Sequence, residues 1–187
     1  YGYINRENIL IVDCMYGDAT PFHNGYGSVR LNANCFYIDE EGEIVSPVFE
    51  AIGSEGDGLV AIRNEGLWGY VYLSDFSLAL PFCYEYAGPF SEGKAVVMQE
   101  GTYHYIDING ESLFGETRFD FAHDFRNGHA IVREGNLFRV INEKGETVIR
   151  SERDTFLRTD GRTLIFRRGD KRIETTLSDY KKEFEKA

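Results

Sequence analysis

Three arginines share one position in a periodic pattern, and they are the residues best placed for shared chemistry. Arg30, Arg63 and Arg133 each stand five residues after a glycine, at Gly25, Gly58 and Gly128, while Met98 takes that place after Gly93. A guanidinium presents five N–H donors in a fixed fork that matches carboxylate and phosphate oxygens. A row of them on an acidic chain would therefore hold an anion. The competing expectation, and the preferred one, is that each pairs with a nearby acid such as Glu65 or Glu134 on a solvated strand face. Trp68, Tyr70, Tyr103 and Tyr105 offer a second chemistry, because aromatic rings stack on sugar faces. Packing between repeats explains the same rings, and that is the preferred reading for residues that dominate cores.

Other chemistry is poorly supported. His23, His104, His123 and His129 have no ligand spacing such as His-x-x-x-His, and His123-Asp124 is an ordinary loop pair. Gly53-Ser54-Glu55-Gly56-Asp57-Gly58 lacks the Lys-Ser/Thr ending of a phosphate loop, and two acids sit where the anion would go. No Gly-x-Ser-x-Gly elbow is present. Cys14, Cys35 and Cys83 fall at different places in the period without Cys-x-x-Cys spacing, so reduced core thiols are expected rather than a zinc site or a disulfide framework. The sequence assigns no catalytic residue, no metal ligand and no cofactor, and its binding residues are unknown.

The elements that must position these residues repeat along the chain. Gly25-Tyr26-Gly27-Ser28-Val29-Arg30, Gly58-Leu59-Val60-Ala61-Ile62-Arg63, Gly93-Lys94-Ala95-Val96-Val97-Met98 and Gly128-His129-Ala130-Ile131-Val132-Arg133 begin 33, 35 and 35 residues apart. A period in this range is the mark of a modular array. A second apolar segment follows each, as in Trp68–Tyr72 and Tyr103–Asp107, after a break such as Asn64-Glu65-Gly66, so each pair predicts a β-hairpin. Asp39-Glu40-Glu41-Gly42, Asp107-Ile108-Asn109-Gly110 and Asn142-Glu143-Lys144-Gly145 then predict an Asx-type turn into a third strand, supplied by Glu43–Val48, Ser77–Phe82, Glu111–Phe114 and Glu146–Arg150. Pro47 and Pro81 fall near the end of that strand, where a missing donor costs least. Phe22, Phe90 and Phe125 stand three residues before the glycine, with Glu55 breaking the series. Alternation assigns Val60, Ile62, Ala95, Val97, Ala130 and Val132 to the core and Arg63, Lys94, His129 and Arg133 to the opposite face.

The run Gly66-Leu67-Trp68-Gly69-Tyr70-Val71, with Gly58–Ile62 before it and Phe90–Val97 and Tyr105–Glu111 after it, resembles the WG-repeat family of bacterial β-repeat proteins. The resemblance covers residues 1–149, with Cys35-Phe36, Tyr103-His104 and Phe138-Arg139 in place of Trp-Gly. It implies a scaffold of β-hairpins without a family-wide catalytic apparatus and transfers no catalytic residue. Tyr1-Gly2-Tyr3-Ile4-Asn5 aligns with Trp68–Tyr72, so the first repeat is expected to be truncated, with sequence upstream of Tyr1.

The expected fold is all-β: a tandem array of three-stranded antiparallel meanders, solenoid-like or a twisted stack, with a propeller-like arc as the alternative. One domain spans 1–176, with about four to five repeats of 33–35 residues. Residues 177–187 form a capping helix whose Tyr180 and Phe184 share a face and cover the last open edge. Asp160–Arg167, with Arg168-Gly169-Asp170-Lys171 as its turn, would add one more hairpin. Hydrophobic residues make up 42% of the chain, enough for a core. Residues 150–187 hold 11 Lys/Arg and 8 Asp/Glu, and residues 1–149 hold 9 and 23, so the body carries −14 and the tail +3. Such a body repels phosphate backbones, which argues against nucleic acid. No apolar run is long enough to span a bilayer. The expected function is a non-catalytic scaffold for protein–protein interaction, not an enzyme. The alternative is a cell-surface or carbohydrate-binding module using exposed aromatics, which leaves a protein or a glycan as partner and the compartment open.

Overall fold

A computed structural model of the chain describes residues 1–183. They form two compact units that divide after Cys83, and each is built from consecutive antiparallel sheets. In the first unit, β1 (Tyr3–Ile4) pairs with β2 (Leu10–Val12). The next sheet has the order β3 (Asp18–Ala19), β4 (Tyr26–Leu31), β5 (Asn34–Asp39), and the third the order β6 (Ala51–Gly56), β7 (Leu59–Asn64), β8 (Leu67–Tyr72), β9 (Leu78–Tyr84). The second unit continues with β10 (Tyr86–Ala87), β11 (Lys94–Gln99), β12 (Thr102–Asp107). It then adds β13 (Phe121–Ala122), β14 (His129–Glu134), β15 (Leu137–Asn142), β16 (Thr147–Ser151), followed by β17 (Thr155–Thr159), β18 (Thr163–Arg168), β19 (Lys171–Thr176) and the helix α1 (Leu177–Glu183). The fold is therefore all-β with one short C-terminal helix, a series of small meander sheets.

All four predicted hairpins form, as β4/β5, β7/β8, β11/β12 and β14/β15, and the fifth forms as β18/β19. At the tips, Glu65 (φ 51°) with Gly66 (φ 79°) and Glu100 (φ 53°) with Gly101 (φ 74°) hold two successive positive-φ residues, the twist-matching two-residue hairpin turn. The Asx turns form as read. Asp39 Oδ1 accepts from the N–H of Glu41 and Glu43, Asp107 Oδ1 from Asn109 and Glu111, and Asn142 Oδ1 from Lys144 and Glu146, all at 2.9–3.1 Å.

The third strand differs in part from expectation. It is regular as β9 and β16, but Glu43–Val48 and Glu111–Phe114 make only single bridges, Ile38 with Ile44 and Ile106 with Ser112. Pro47 removes one ladder donor in the first, and the positive φ of Phe114 (62°) and Gly115 (70°) turns the chain away in the second. The further strand comes instead from the irregular segment ahead of each hairpin: β3, β6, β10, β13 and β17 all pair with the strand that follows.

Face assignment holds for its buried set, since Val60, Ile62, Ala95, Val97, Ala130 and Val132 are all buried. The opposite face is buried as well, through Leu59, Ala61, Val96 and Ile131, so these middle strands read as near-continuous apolar runs rather than clean alternation. Between β3–β5 and β6–β9, Tyr37, Phe49, Val60, Ile62, Val71 and Phe76 pack together. Val96, Tyr105, Phe119, Phe125, Val132 and Ile141 do the same between the first two sheets of the second unit. The expected anchors Phe90 and Phe125 are buried.

The expected cap docks through its described part. Leu177 and Tyr180 join Ile149, Phe156, Leu164 and Phe166 in one cluster, while Phe184 lies outside the described residues. A buried polar latch reinforces it. The fully buried Asp154 carboxylate receives both Arg168 Nε and Nη2 at 2.6 Å and the Tyr180 hydroxyl at 2.6 Å. Among the cysteines the expectation of core thiols fails for Cys14, which is exposed; all three are free.

Candidate interaction surface

Each repeat is numbered here from the residue just before its first hairpin strand (Gly25, Gly58, Gly93, Gly128, Arg162) as zero. The arginine position is then +5 and the Trp position +10, and the hairpin register makes them direct cross-strand partners: Arg30 with Cys35, Arg63 with Trp68, Met98 with Tyr103, Arg133 with Phe138. Opposed residues of an antiparallel pair point to the same face and touch. The two chemistries that looked separate along the chain therefore share one face near the tip of each hairpin.

At that position the arginines differ. Arg63 Nε lies 3.4 Å from Glu50 and its guanidinium stands over the Trp68 ring at 5.9 Å, so it pairs locally as expected, but with an acid other than Glu65. Glu134 is taken by Arg139, not by Arg133. Arg133 Nε is buried and has no hydrogen-bond partner among the described residues.

The aromatics divide by position. Tyr70 and Tyr105 are fully buried, and the Tyr105 hydroxyl donates to the His123 carbonyl at 2.7 Å. Tyr37, at the same repeat position, donates to Glu55 Oε1 at 3.0 Å. Burial pushes both phenols well above their ordinary pKa, and the Glu55 charge adds to this at Tyr37. Tyr37 and Tyr105 thus tie one repeat to the next, and the rings of Tyr70 and Tyr105 are closed to ligand. Trp68 and Tyr103 are half-buried. In the second unit Tyr103 stands between two exposed rings, Tyr86 on one side at 5.9 Å and Phe121 on the other at 6.0 Å, and Phe121 meets His123 at 4.8 Å. Tyr86 and Phe121 are 42% and 38% exposed. Met98 pairs across from both Tyr86 and Tyr103, and Arg133 from both Phe121 and Phe138. The result is one continuous strip of Tyr, Met, Tyr, Phe and Arg side chains.

The exposed ends of this strip lay outside the sequence reading because Tyr86 and Phe121 belong to the irregular segment, where two-residue strands leave no alternation to detect. Their shared position, seven residues before Gly93 and Gly128, was the available signal. Another recurrence went unread. The acids at −8, Glu50, Glu85 and Asp120, accept from the tip-glycine N–H of Gly66, Gly101 and Gly135 at 2.6–3.2 Å, which fixes each hairpin tip to the strand segment before it.

The histidines do not converge. His23 is exposed beside Glu55 at 3.8 Å, His104 is buried with Nδ1 unpartnered, and His129 Nδ1 bonds the Asn127 carbonyl. Burial lowers the His104 and His123 pKa values. Among the described residues no group of three or more His, Cys, Asp or Glu is arranged to hold a metal. No helix among them is long and apolar enough to cross a membrane.

The expected phosphate-loop mimic, Gly53–Gly58, is strand β6 and its turn. Gly53, Ser54 and Glu55 line a cleft of about 490 Å³ together with Thr20, His23, Ser28, Arg30 and Tyr37. A cleft of about 320 Å³ in the second unit uses the corresponding repeat positions: His123, Asp124, Arg126, Ile131, Leu157, Arg158 and Thr159.

Solved structures with this arrangement are β-propeller-like. Hsv2 of Kluyveromyces lactis superposes with a TM-score of 0.59 at 9% identity, covering 90% of this chain and 64% of that one. Hsv2 of Kluyveromyces marxianus gives 0.58 at 11% identity over 90% and 62%. A eukaryotic initiation factor gives 0.54 at 11% identity over 87% and 52%. The chain thus spans less than two thirds of the length of these structures, and at such identities the likeness concerns the fold. No curated protein matches the sequence. The WG containing repeat matches four times, at residues 1–35, 36–68, 74–103 and 105–138. Those matches end at Cys35, Trp68, Tyr103 and Phe138, the +10 position of successive repeats, and the chain belongs to the WG containing repeat family.

Proposed function

We propose that this chain is a non-catalytic repeat scaffold that binds a protein partner through the strip Tyr86, Met98, Tyr103, Phe121 and Arg133. The observation that carries the reading is the composition and exposure of that strip. Interface cores are enriched in Tyr, Phe, Met and Arg, and the strip combines these types on rigid paired strands. Rigid presentation matters because a side chain already held in one rotamer loses little entropy on binding. The rings meet edge to face, so in each pair one ring's face is covered by its neighbour's edge, which suits apolar side chains of a protein more than the flat face of a sugar. The glycan alternative also loses Tyr70 and Tyr105, whose rings are inside the core.

The test places a photo-crosslinking residue at Tyr86 or at Phe121 in the full chain, with a control at Asp57 in the first unit. The expected result is a discrete protein adduct from the strip that the control lacks, and its loss when Tyr103→Asp and Phe121→Ser are added. The reading fails if strip and control give the same adducts. It fails equally if an oligosaccharide panel yields a sugar whose binding those substitutions abolish.

A further inference from the structure

The last repeat breaks the pattern at the very positions that form the strip. Counted from Arg162, Arg167 stands at +5 and Arg172 at +10, and the register of β18 and β19 makes them direct cross-strand partners. In the four earlier hairpins the +10 residue is Cys35, Trp68, Tyr103 or Phe138, never a cation. Directly opposed residues point to one face with Cβ atoms about 4.5–5.5 Å apart, and like charges so placed destabilise the sheet. Both arginines are exposed, and neither guanidinium makes a hydrogen bond or ion pair with another described residue.

The acid that answers this position elsewhere is withdrawn. Position −8 supplies Glu50 in the second repeat, and its carboxylate lies 3.4 Å from Arg63 at +5. The counterpart of Glu50 in the last repeat is Asp154, fully buried and committed at 2.6 Å to Arg168 and to the Tyr180 hydroxyl. Arg167 and Arg168 are strand neighbours and point to opposite faces, so one closes the cap while the other is left outward. On its second flank Arg167 opposes Thr155, which brings no charge. The next row sets Arg158 and Glu174 on either side of Ile165, so the face carries three guanidiniums and one carboxylate.

We propose that Arg167 and Arg172 form a binding site for carboxylates on an acidic segment of a protein partner. Two forks of N–H donors held on paired strands match carboxylate oxygens, and a bound carboxylate removes the repulsion between them. A carboxylate suits the site better than the polyanionic backbone of a nucleic acid, which the −14 of residues 1–149 repels. The proposal rests on the protein-partner reading only for the source of the carboxylates, since −7, +5 and +10 are the positions that build the strip in the two preceding repeats.

The probe is a fluorescein-labelled hexaglutamate peptide, titrated with the full chain at constant ionic strength and followed by anisotropy. The expected result is saturable one-to-one binding, weakened about 10- to 100-fold by Arg167→Gln or by Arg172→Gln, as for the loss of one charged hydrogen-bonding partner. Arg172→Glu should abolish binding and raise the thermal midpoint, because it turns opposed like charges into an opposite pair. The Gln variants, at exposed strand positions, keep the test valid should Arg172→Glu misfold. The proposal is overturned if hexaglutamate does not saturate or if its binding survives both Gln substitutions. It is overturned equally if inorganic phosphate competes more strongly than succinate, which would assign a phosphate-bearing ligand. Should the crosslink at Tyr86 and Phe121 fail while hexaglutamate binds, the strip reading falls and this site stands; the converse strikes this site alone.

Discussion

Gly69, the glycine of the one literal Trp-Gly pair, gives the sharpest test of why this repeat has its shape. A Cβ placed there would stand 2.8 Å from the Leu80 carbonyl oxygen, 2.9 Å from that of Pro81 and 3.0 Å from Phe82 Cδ1. Two of these neighbours are backbone atoms of β9, which cannot swing aside as a flexible side chain can. Gly69→Ala must therefore push β9 outward by about half an ångström, and overpacking of this kind costs roughly 1–3 kcal/mol. Removing a glycine from the unfolded chain returns about 0.4–1 kcal/mol, which leaves a net loss of about 1–2 kcal/mol. Gly2, aligned with Gly69, repeats the geometry, with its added Cβ only 2.5 Å from the Val12 oxygen, so Gly2→Ala should act in the same direction. Gly17 is the control: its nearest neighbour is 3.8 Å away, and Gly17→Ala should be neutral or mildly stabilising. Urea titration followed by the emission of Trp68, the chain's one tryptophan, reads the local change directly. A Gly69→Ala protein as stable as the parent, with unchanged emission, would refute the steric account of the motif.

Three further outcomes follow from named contacts. Asp154→Asn should cost about 2–4 kcal/mol and Tyr180→Phe about 1–2 kcal/mol, since the first removes the charge that receives Arg168 and the second one hydrogen bond to it; thermal melts check both, and equal effects would mean the latch is not centred on Asp154. His104, whose pKa is lowered by burial, is bound more tightly by its proton in the unfolded chain, so its contribution is full above about pH 6.5 and is lost as pH falls below it. A His104→Leu variant should then show a flatter stability profile between pH 7 and pH 5, and an identical slope would count against this assignment. Trp68→Ala should cost about 1–3 kcal/mol, less than a fully buried tryptophan, because the ring is half-buried and covered on one side by Arg63; denaturant midpoints that do not move would return Trp68 to the pool of ligand-binding residues.

The hairpins were legible because their information is local. Gly-x-apolar-x-apolar fixes a strand, and Asp39 or Asp107 closes its turn through its own side chain, so neither needs a distant partner to be recognised. The strands ahead of the hairpins were not legible. β10 and β13 are two residues long, and their pairing to β11 and β14 is set by tertiary packing rather than by any alternation of their own. The capping helix was visible through Tyr180, but the Asp154–Arg168–Tyr180 latch joins residues 14 and 26 positions apart that no local pattern connects. Arg167 and Arg172 escaped because Arg167, counted from Gly161, falls one place beyond the arginine position, and only the strand register sets it there.

That last case bears on how such a scaffold acquires function. Positions that build the first four repeats tolerate little chemistry: zero turns with positive φ, −8 accepts the tip-glycine N–H in three of them, and +12 fills the inter-sheet core. Positions −2 and −3 meet at the junction between repeats and vary more, from His23 and Glu55 to Ser91 and Phe125 to Arg126 and Thr159, although Phe125 also packs in the core. Because each cleft is closed by consecutive repeats, changing the pair at one junction alters the charge there and leaves the next junction intact. Tyr37 illustrates the coupling between the two classes: where the +12 position keeps a hydroxyl it can hold an acid such as Glu55 in place by a hydrogen bond, and where it becomes Val140 that anchor is absent. A tandem β-repeat can therefore lose its literal Trp-Gly motif at most positions, keep its architecture, and still differ in ligand chemistry from one junction to the next.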